Sequence, residues 1–285
     1  MGAKGSAVSQ KELARRQFIL HGNPWKVVLV IAAPLLLFTL FNYAYSIIDT
    51  IMCSEIGENE LNAVGALSQA NNLIAALGGG LSAGGSILVA REIGKKNYEK
   101  AKSLASALFL YVFAMAILTC ALIIPFAAPI LRLLNVSETS IEVGQYYFMV
   151  LIASSACVMV NTVFMGVEKA KGSTLMISLL NMGVVVLKIG LNALFIYGFG
   201  WKEMVYVSLA TLLANAALTL FVLVRLATKN YLFHFSLKNA DKSRKTARRT
   251  LHISFPVFLG KFVFSLGKVV INALCKNFGE SLVGA

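Results

Sequence analysis

Long apolar stretches recur along the 285-residue chain, separated by shorter polar segments. A helix needs about 20 predominantly apolar residues to cross the hydrocarbon core of a bilayer. The pattern therefore predicts six complete membrane-spanning helices and a seventh that begins near residue 251. Their approximate ranges are 27–52, 63–90, 104–131, 143–167, 174–198, 204–226 and 251–275. We predict an all-α polytopic membrane protein, with a six-helix transmembrane lobe followed by a seventh helix.

Positive charges collect before the first predicted helix and after the second, fourth and sixth. These segments contain 20 of the 26 Lys and Arg residues, whereas the segments on the opposite side contain only Arg132, Lys202 and Lys276. Cytoplasmic loops of membrane proteins carry an excess of Lys and Arg. We therefore expect a multi-pass protein of the inner or plasma membrane, with a cytoplasmic N-terminal tail at 1–24 and a basic cytoplasmic linker at 228–250.

The composition argues against several classes of protein. Hydrophobic residues make up 58% of the chain and charged residues 14%, whereas soluble domains carry about 25% charged residues. The net charge of +13 belongs to the loops of an apolar chain, so we expect contacts with membrane lipid and none with nucleic acid. The four cysteines show no metal-ligand spacing, and no ATPase motif or catalytic triad is present. We expect no metal site, no cofactor and no enzymatic activity.

The chain repeats itself at a shift of 222 residues, where Pro34 aligns with Pro256 and the pair Gly57-Glu58 with Gly279-Glu280. A repeat of an even number of helices gives two parallel halves, related by an axis along the membrane normal. Residues 25–227 would form the first lobe and residues 251–285 the start of a second. We therefore expect a fragment or a truncated reading frame, whose partner is a missing second lobe.

Helical spacing places polar side chains on common faces of the predicted helices. These residues are candidates for lining a cavity, and the alternative is that they form hydrogen bonds between helices. The candidates are Asn42, Ser46, Gln69, Asn72, Asn161, Asn181 and Asn215. The glycines at 78–80 and 84–85 predict either close helix packing or a flexible point in the second helix.

Charged residues within the apolar stretches are costly and are therefore candidates for function. Asp49 shares a helical face with Asn42, although an acid at the membrane boundary is the alternative. Lys188 lies near the middle of the fifth predicted helix, where a structural ion pair is the alternative to a functional role. Lys261 and Lys268 share one face of the seventh helix, and we expect their partners in the missing half.

Several motifs occur in an order and spacing that resemble the multidrug and toxic compound extrusion (MATE) family, over about residues 15–285. They are Pro34 to Asn42 with Asp49-Thr50, the glycine-rich stretch 80–86, Glu168 to Thr174, and Leu191 to Gly198. The resemblance implies twelve helices in two lobes around a central cavity. It also implies efflux of organic cations or other amphiphilic small molecules by antiport with H⁺ or Na⁺. The alternatives are a flippase for a lipid-linked saccharide or polysaccharide of the same superfamily, and a non-transporting truncated remnant.

The resemblance further implies a cation-coupling site in the first lobe, formed by Asp49, Lys188, Asn192 and Thr211. The chain keeps the first acid but has Lys188 and Asn192 where one branch of the family has an Asn and an Asp. One carboxylate is therefore lost and one ammonium is gained. We hypothesise that Lys188 acts as a tethered cation for Asp49, because two opposite charges brought together can both stay ionised in an apolar bundle.

Overall fold

The computed structural model describes residues 22–54, 58–129, 138–201, 203–228 and 243–276, together with 231, 233–236, 240 and 241 of the last connecting segment. Within these residues every regular element is helical. Seven helices are long and apolar enough to cross a membrane. The predicted all-α, multi-pass architecture is therefore confirmed.

Several helices extend beyond the apolar stretches that predicted them, because their polar end turns continue the helix outside the apolar segment. In chain order the helices are α1 (Pro24–Ser54), α2 (Glu58–Gly94), α3 (Tyr98–Ile123), α4 (Glu138–Ala170), α5 (Thr174–Ala193), α6 (Met204–Ala227) and α7 (Arg244–Lys276). Most of the predicted tail at 1–24 lies outside the described residues.

The third helix ends earlier than the sequence predicted. Its apolar stretch continues to residue 131, but α3 ends at Ile123. Pro125 has no amide hydrogen, so it cannot donate the next hydrogen bond of the helix. The chain turns at this point, where the amide of Phe126 donates to the carbonyl of Ile123 over 3.2 Å. Pro34 and Pro256 are instead accommodated inside α1 and α7.

The far end of α5 is closed by an aromatic cluster. The helix widens into one π-helical turn, Leu194–Gly198, and the chain then reverses at Gly200, whose positive φ of 70° favours glycine. The Trp201 ring stacks on Phe199 with a centroid distance of 4.9 Å and on Tyr206 with 4.5 Å. Trp and Tyr are enriched where a helix meets the membrane surface. The cluster thus fixes the turn between α5 and α6, and its Trp and Tyr side chains are those expected at a membrane boundary.

The apolar core lies between α2, α3, α4 and α6. Val89, Phe109, Phe164 and Val222, one from each of these helices, are fully buried there. Helix α2 packs against α4 and α7, and helix α5 packs against α1 and α6. Helix α2 therefore provides the main described contact between the six-helix lobe and the seventh helix.

The basic segment between α6 and α7 is anchored to the lobe by aromatic side chains. Tyr231 and Phe233 are buried in the main core, and Phe235 packs edge-on against Phe113 of α3 with ring centroids 6.0 Å apart. The amide of Phe235 also donates to the carbonyl of Leu226 over 2.8 Å. The described part of this segment is therefore packed against the lobe, and α7 begins at Arg244, within the predicted linker.

Candidate functional site

Two of the candidate cavity residues join α4 to α6. The side-chain amide of Asn161 donates to the carbonyl of Asn215 over 3.1 Å, and the hydroxyl of Thr219 donates to Asn161 Oδ1 over 3.1 Å. The amide of Asn215 in turn donates to Ser154 Oγ over 3.3 Å. Asn161 is nearly completely buried. In this structure Asn161 and Asn215 therefore form a network of hydrogen bonds between helices.

A second polar contact joins α1 to α5. The hydroxyl of Ser178 donates to the carbonyl of Pro34 over 2.9 Å. The half-buried Asn42 and Asn181 donate to the carbonyls of Phe38 and Ile177, one turn earlier in their own helices. Ser178 thus joins α5 to α1, whereas the cited hydrogen bonds of Asn42 and Asn181 stay within their own helices.

The residues proposed for cation coupling lie on three helices that pack side by side. Lys188 is half-buried on α5, and Asn192 follows one turn later with only 1% of its surface exposed. On the neighbouring α6, the Thr211 hydroxyl donates to the carbonyl of Val207 over 3.0 Å. Asp49 lies on α1, which packs against α5. The side chain of Asp49 lies outside the described part of the structure, so its place relative to Lys188 stays a prediction.

The remaining candidates for lining a cavity are Asn72, Ser46 and Gln69. Asn72 on α2 has an exposed side chain. The side chains of Ser46 and Gln69 lie outside the described part of the structure.

The glycines of α2 form a close contact with α7. A Cβ atom built on Gly84 would lie 2.7 Å from the backbone of Ser254, and one on Gly80 would lie 2.6 Å from Cβ of Phe258. Real Cβ atoms do not approach other atoms this closely, so both positions need glycine. The pairing is antiparallel, because higher numbers on α2 face lower numbers on α7. Of the two predictions for this glycine-rich stretch, close helix packing is confirmed.

The same helix pair places lysine side chains along its length. A Cβ on Gly79 would lie 2.5 Å from Nζ of Lys261, so the ammonium group lies directly over the α2 backbone. Lys169 at the end of α4 is close enough to Lys261 for their positive charges to interact. Two turns further along α7, Nζ of Lys268 lies 5.1 Å from the ring centre of Phe264. Lys261 and Lys268 are both exposed on the surface of the described structure.

A buried carboxylate at the end of α4 was not singled out from the sequence. Glu168 is fully buried, and Nζ of Lys171 lies 3.2 Å from its carboxylate. The phenol of Tyr231 donates a hydrogen bond to Glu168 Oε1. The guanidinium of Arg225 lies 5.3 Å from the centre of the Tyr231 ring. Burial, followed by the neighbouring Glu168, raises the pKa of Tyr231 far above its usual value, so the phenol stays a donor.

The start of α7 is fixed by a second acidic residue. The carboxylate of Asp241 accepts hydrogen bonds from the Thr246 hydroxyl over 2.6 Å and from the Ser243 amide over 3.0 Å. These bonds, with that from Thr246 the most important, lower the pKa of Asp241. The Asp241 amide also donates to the carbonyl of Ser103 on α3 over 3.4 Å. The chain is therefore held against the lobe immediately before it enters α7.

Comparison of the sequence with known proteins gives a consistent set of relatives. The profile of the MatE family matches residues 34–194. The multidrug export protein MepA of Staphylococcus aureus is 21% identical over 263 residues, which cover 92% of this chain and 58% of the relative. MepA of Staphylococcus saprophyticus is 20% identical over 262 residues, with the same coverage. The chain thus spans a little over half the length of these relatives.

Comparison of the fold leads to the same class of protein. An outward-facing multidrug resistance MATE family transporter of the MOP superfamily superposes with a TM-score of 0.83 at 25% identity, over 92% of this chain and 58% of that one. The inward-facing conformation of such a transporter gives a TM-score of 0.76 and covers 84% of this chain and 55% of that one. A MOP superfamily transporter from Pyrococcus furiosus gives a TM-score of 0.82 at 25% identity and covers 90% of this chain and 57% of that one. The binding pocket of that transporter is described as having a reverse polarity that suggests a different function.

Proposed function

The chain belongs to the MatE family, and we propose that it forms the first six-helix lobe, with the first helix of a second lobe, of a secondary active transporter that exports amphiphilic organic compounds. The observation that carries the proposal is the family match over residues 34–194. The similarity to multidrug export proteins over 92% of the chain supports it. Because the chain spans 58% of those relatives, we propose that a second lobe completes the transport pathway.

We propose that an inward gradient of H⁺ or Na⁺ drives the export. The coupling residues would be Asp49, Lys188, Asn192 and Thr211, on helices α1, α5 and α6. The packing of α5 against both α1 and α6 supports this grouping. With Lys188 as a tethered cation, the pair formed with Asp49 would hold α1 to α5 in the way that a bound cation would.

The proposed site would lie in the inner or plasma membrane, with the N-terminus in the cytoplasm. The concentration of positive charge in the segments after α2, α4 and α6 supports this orientation. Labelling of a cysteine at Ser243, in a background without native cysteines, tests it. An impermeant thiol reagent should fail to label this site in intact cells, and labelling there would reverse the proposed orientation.

A second candidate function is the flipping of a lipid-linked saccharide or polysaccharide. The lysines within the membrane helices favour it, because they would match an anionic phosphate head group. Lys188, Lys261 and Lys268 all lie in helices long enough to span the membrane. This candidate uses the same two-lobed architecture and differs only in the substrate.

The test of export is dye accumulation in an efflux-deficient host that expresses the complete reading frame encoding these residues. Cationic, anionic and neutral amphiphilic dyes are compared. We expect reduced accumulation of at least one dye, and recovery of accumulation when the ion gradients are collapsed. Lys245→Gln, in the exposed first turn of α7, is the matched control and should export normally. Unchanged accumulation of all three dyes, with the protein folded in the membrane, would contradict the proposal.

A further inference from the structure

The charges inside the membrane helices are unevenly distributed. In the seven described membrane spans, of which the first ends at Ala44 and so leaves out Asp49 of α1, the acidic residues are Glu92, Glu99 and Glu168, and each lies within a few residues of a helix end. Glu92 is paired with Lys95 over 3.1 Å, and Glu168 with Lys171 over 3.2 Å. In the described spans, the charges away from these ends are therefore positive.

Two of these positive charges, Lys261 and Lys268, lie on α7, and Lys169 at the end of α4 adds a third positive charge near Lys261. We call Lys169, Lys261 and Lys268 the lysine row. Lys261 lies near the middle of α7 (Arg244–Lys276), and its ammonium group covers Gly79 of α2. Lys169 at the end of α4 is close enough to repel it electrostatically. The row therefore concentrates like charges along one wall.

The antiparallel register of α2 and α7 extends this wall. Gly84 lies opposite Ser254 and Gly79 opposite Lys261, so two more turns along both helices place Lys268 at the level of Asn72. Both of these side chains are exposed. An ammonium group and a side-chain amide at the same level can both donate hydrogen bonds to an acceptor. The surface formed by α2 and α7 thus carries hydrogen-bond donors from Lys261 to Lys268, two helical turns further along α7.

Glycine at position 79 is what makes room for the ammonium group. Any larger residue would place its Cβ 2.5 Å from Nζ of Lys261 and would displace the end of that flexible side chain. Around the row the surface is apolar, since Phe264 and Val263 of α7 are exposed beside it. A row of cations within an apolar surface matches an anionic head group attached to an apolar body.

We propose that the lysine row binds the anionic head group of an amphiphile, a carboxylate or a phosphate, so that the transported substrate is an anion. This inference rests on the proposed function and specifies its substrate. An organic cation would be repelled by Lys169, Lys261 and Lys268 together. The anion would instead offset the cost of holding ammonium groups within the membrane.

The test is binding to the purified full chain in a neutral detergent. The probes are two dansyl-labelled alkyl chains of equal length, one ending in a carboxylate and the other in a trimethylammonium group. We expect saturable binding of the anionic probe and binding of the cationic probe that is weaker by about tenfold or more. Equal or tighter binding of the cationic probe would overturn the proposal.

Variants locate the site. Lys261→Gln should weaken binding of the anionic probe by about tenfold, and Lys268→Gln should also weaken it. Gly79→Ala keeps every charge but displaces the Lys261 ammonium, so it should weaken binding as well. Lys245→Gln, with the same change of charge outside the row, should bind the probe normally. If Lys261→Gln fails to fold, the affinity of Gly79→Ala for the anionic probe tests the proposal instead. Unchanged affinity in every folded variant among Lys261→Gln, Lys268→Gln and Gly79→Ala would overturn the proposal.

Competition identifies the source of the anion. Displacement of the probe by a soluble alkyl phosphate would indicate a small amphiphilic anion as the substrate. Displacement by phosphatidylglycerol in mixed micelles, and not by the soluble alkyl phosphate, would indicate a lipid head group. Either result supports the anionic site. Binding needs no ion gradient, so the two proposals can fail separately. Anion binding without export would support the anionic site and count against the proposed transport. Export of cations alone would support the transport and overturn the anionic site.

Discussion

Tyr231, in the segment between α6 and α7, donates its phenol hydrogen to the carboxylate of Glu168 at the end of α4. The residues are 63 positions apart, and both are buried. Lys171 supplies a compensating positive charge 3.2 Å from the same carboxylate. A buried carboxylate is tolerated when it is paired and hydrogen-bonded. The contact therefore anchors the connecting segment to the lobe, because the buried carboxylate of Glu168 requires a hydrogen-bond donor and Tyr231 supplies one.

Tyr231→Phe should destabilise the lobe, because it removes one hydrogen bond to a buried charged group while keeping the ring. Hydrogen bonds to charged groups contribute about 1.5–3 kcal/mol. We expect a loss of that size in the free energy of unfolding, measured in detergent. The control is Tyr43→Phe, since Tyr43 is 69% exposed on α1 and should tolerate the change. Equal stability of the two variants would mean that the Tyr231 contact contributes nothing.

Gly84→Ala should disrupt the contact between α2 and α7. The added Cβ would lie 2.7 Å from the backbone of Ser254, which cannot move aside as a flexible side chain could. Overpacking of this kind costs about 1–3 kcal/mol. On the other helix of the same pair, a Cβ on Gly260 would contact nothing within 4 Å. Gly260→Ala should therefore unfold at the same temperature as the unchanged chain or a higher one, and similar losses in both variants would contradict the packing.

Asn161 and Thr219 should be energetically coupled, because the Thr219 hydroxyl donates to Asn161 Oδ1 over 3.1 Å. A double-mutant cycle with Asn161→Leu and Thr219→Val measures this coupling through the free energy of unfolding. Hydrogen bonds between membrane helices contribute about 0.6 kcal/mol on average. A coupling of about that size would show that the pair joins α4 to α6. Additive losses would remove the structural role and return Asn161 to the candidates for lining a cavity.

Neutralising Lys188 alone should be more damaging than neutralising it together with Asp49. If the two charges compensate each other, Lys188→Ala leaves a carboxylate without its cation in the bundle, which typically costs about 3–5 kcal/mol. Asp49→Asn combined with Lys188→Asn leaves neither charge and should recover much of the stability. Thermal unfolding of the single and double variants measures the difference. Additive losses would show that the two residues do not meet.

The helix count and the fold class follow from the hydropathy pattern, because each apolar stretch is long enough to span a bilayer. The pattern misplaced the end of α3, since hydropathy does not register the missing amide of Pro125. The glycines at 80 and 84 correctly predicted close packing, but only the structure identifies Phe258 and Ser254 as the residues that they approach.

The burial of Tyr231 and Phe233, which anchor the connecting segment to the lobe, could not be predicted from the hydropathy pattern. Tyr231 and Phe233 lie in a basic segment whose local pattern indicates solvent exposure. Their burial depends on contacts with α4, formed only when distant parts of the chain fold together. The signal that was available is two aromatic residues in a charged segment, together with Glu168 and Lys171 at helical spacing.

Ion-driven transport is measured directly with the complete reading frame reconstituted in proteoliposomes. Fluorescent amphiphiles are followed under an imposed H⁺ gradient, an imposed Na⁺ gradient and no gradient. We expect an anionic amphiphile to move against its concentration gradient when one of these ions flows down its own gradient, and no net movement without an ion gradient. Folded protein that moves none of the amphiphiles under either gradient would show that the chain is not part of an ion-driven exporter.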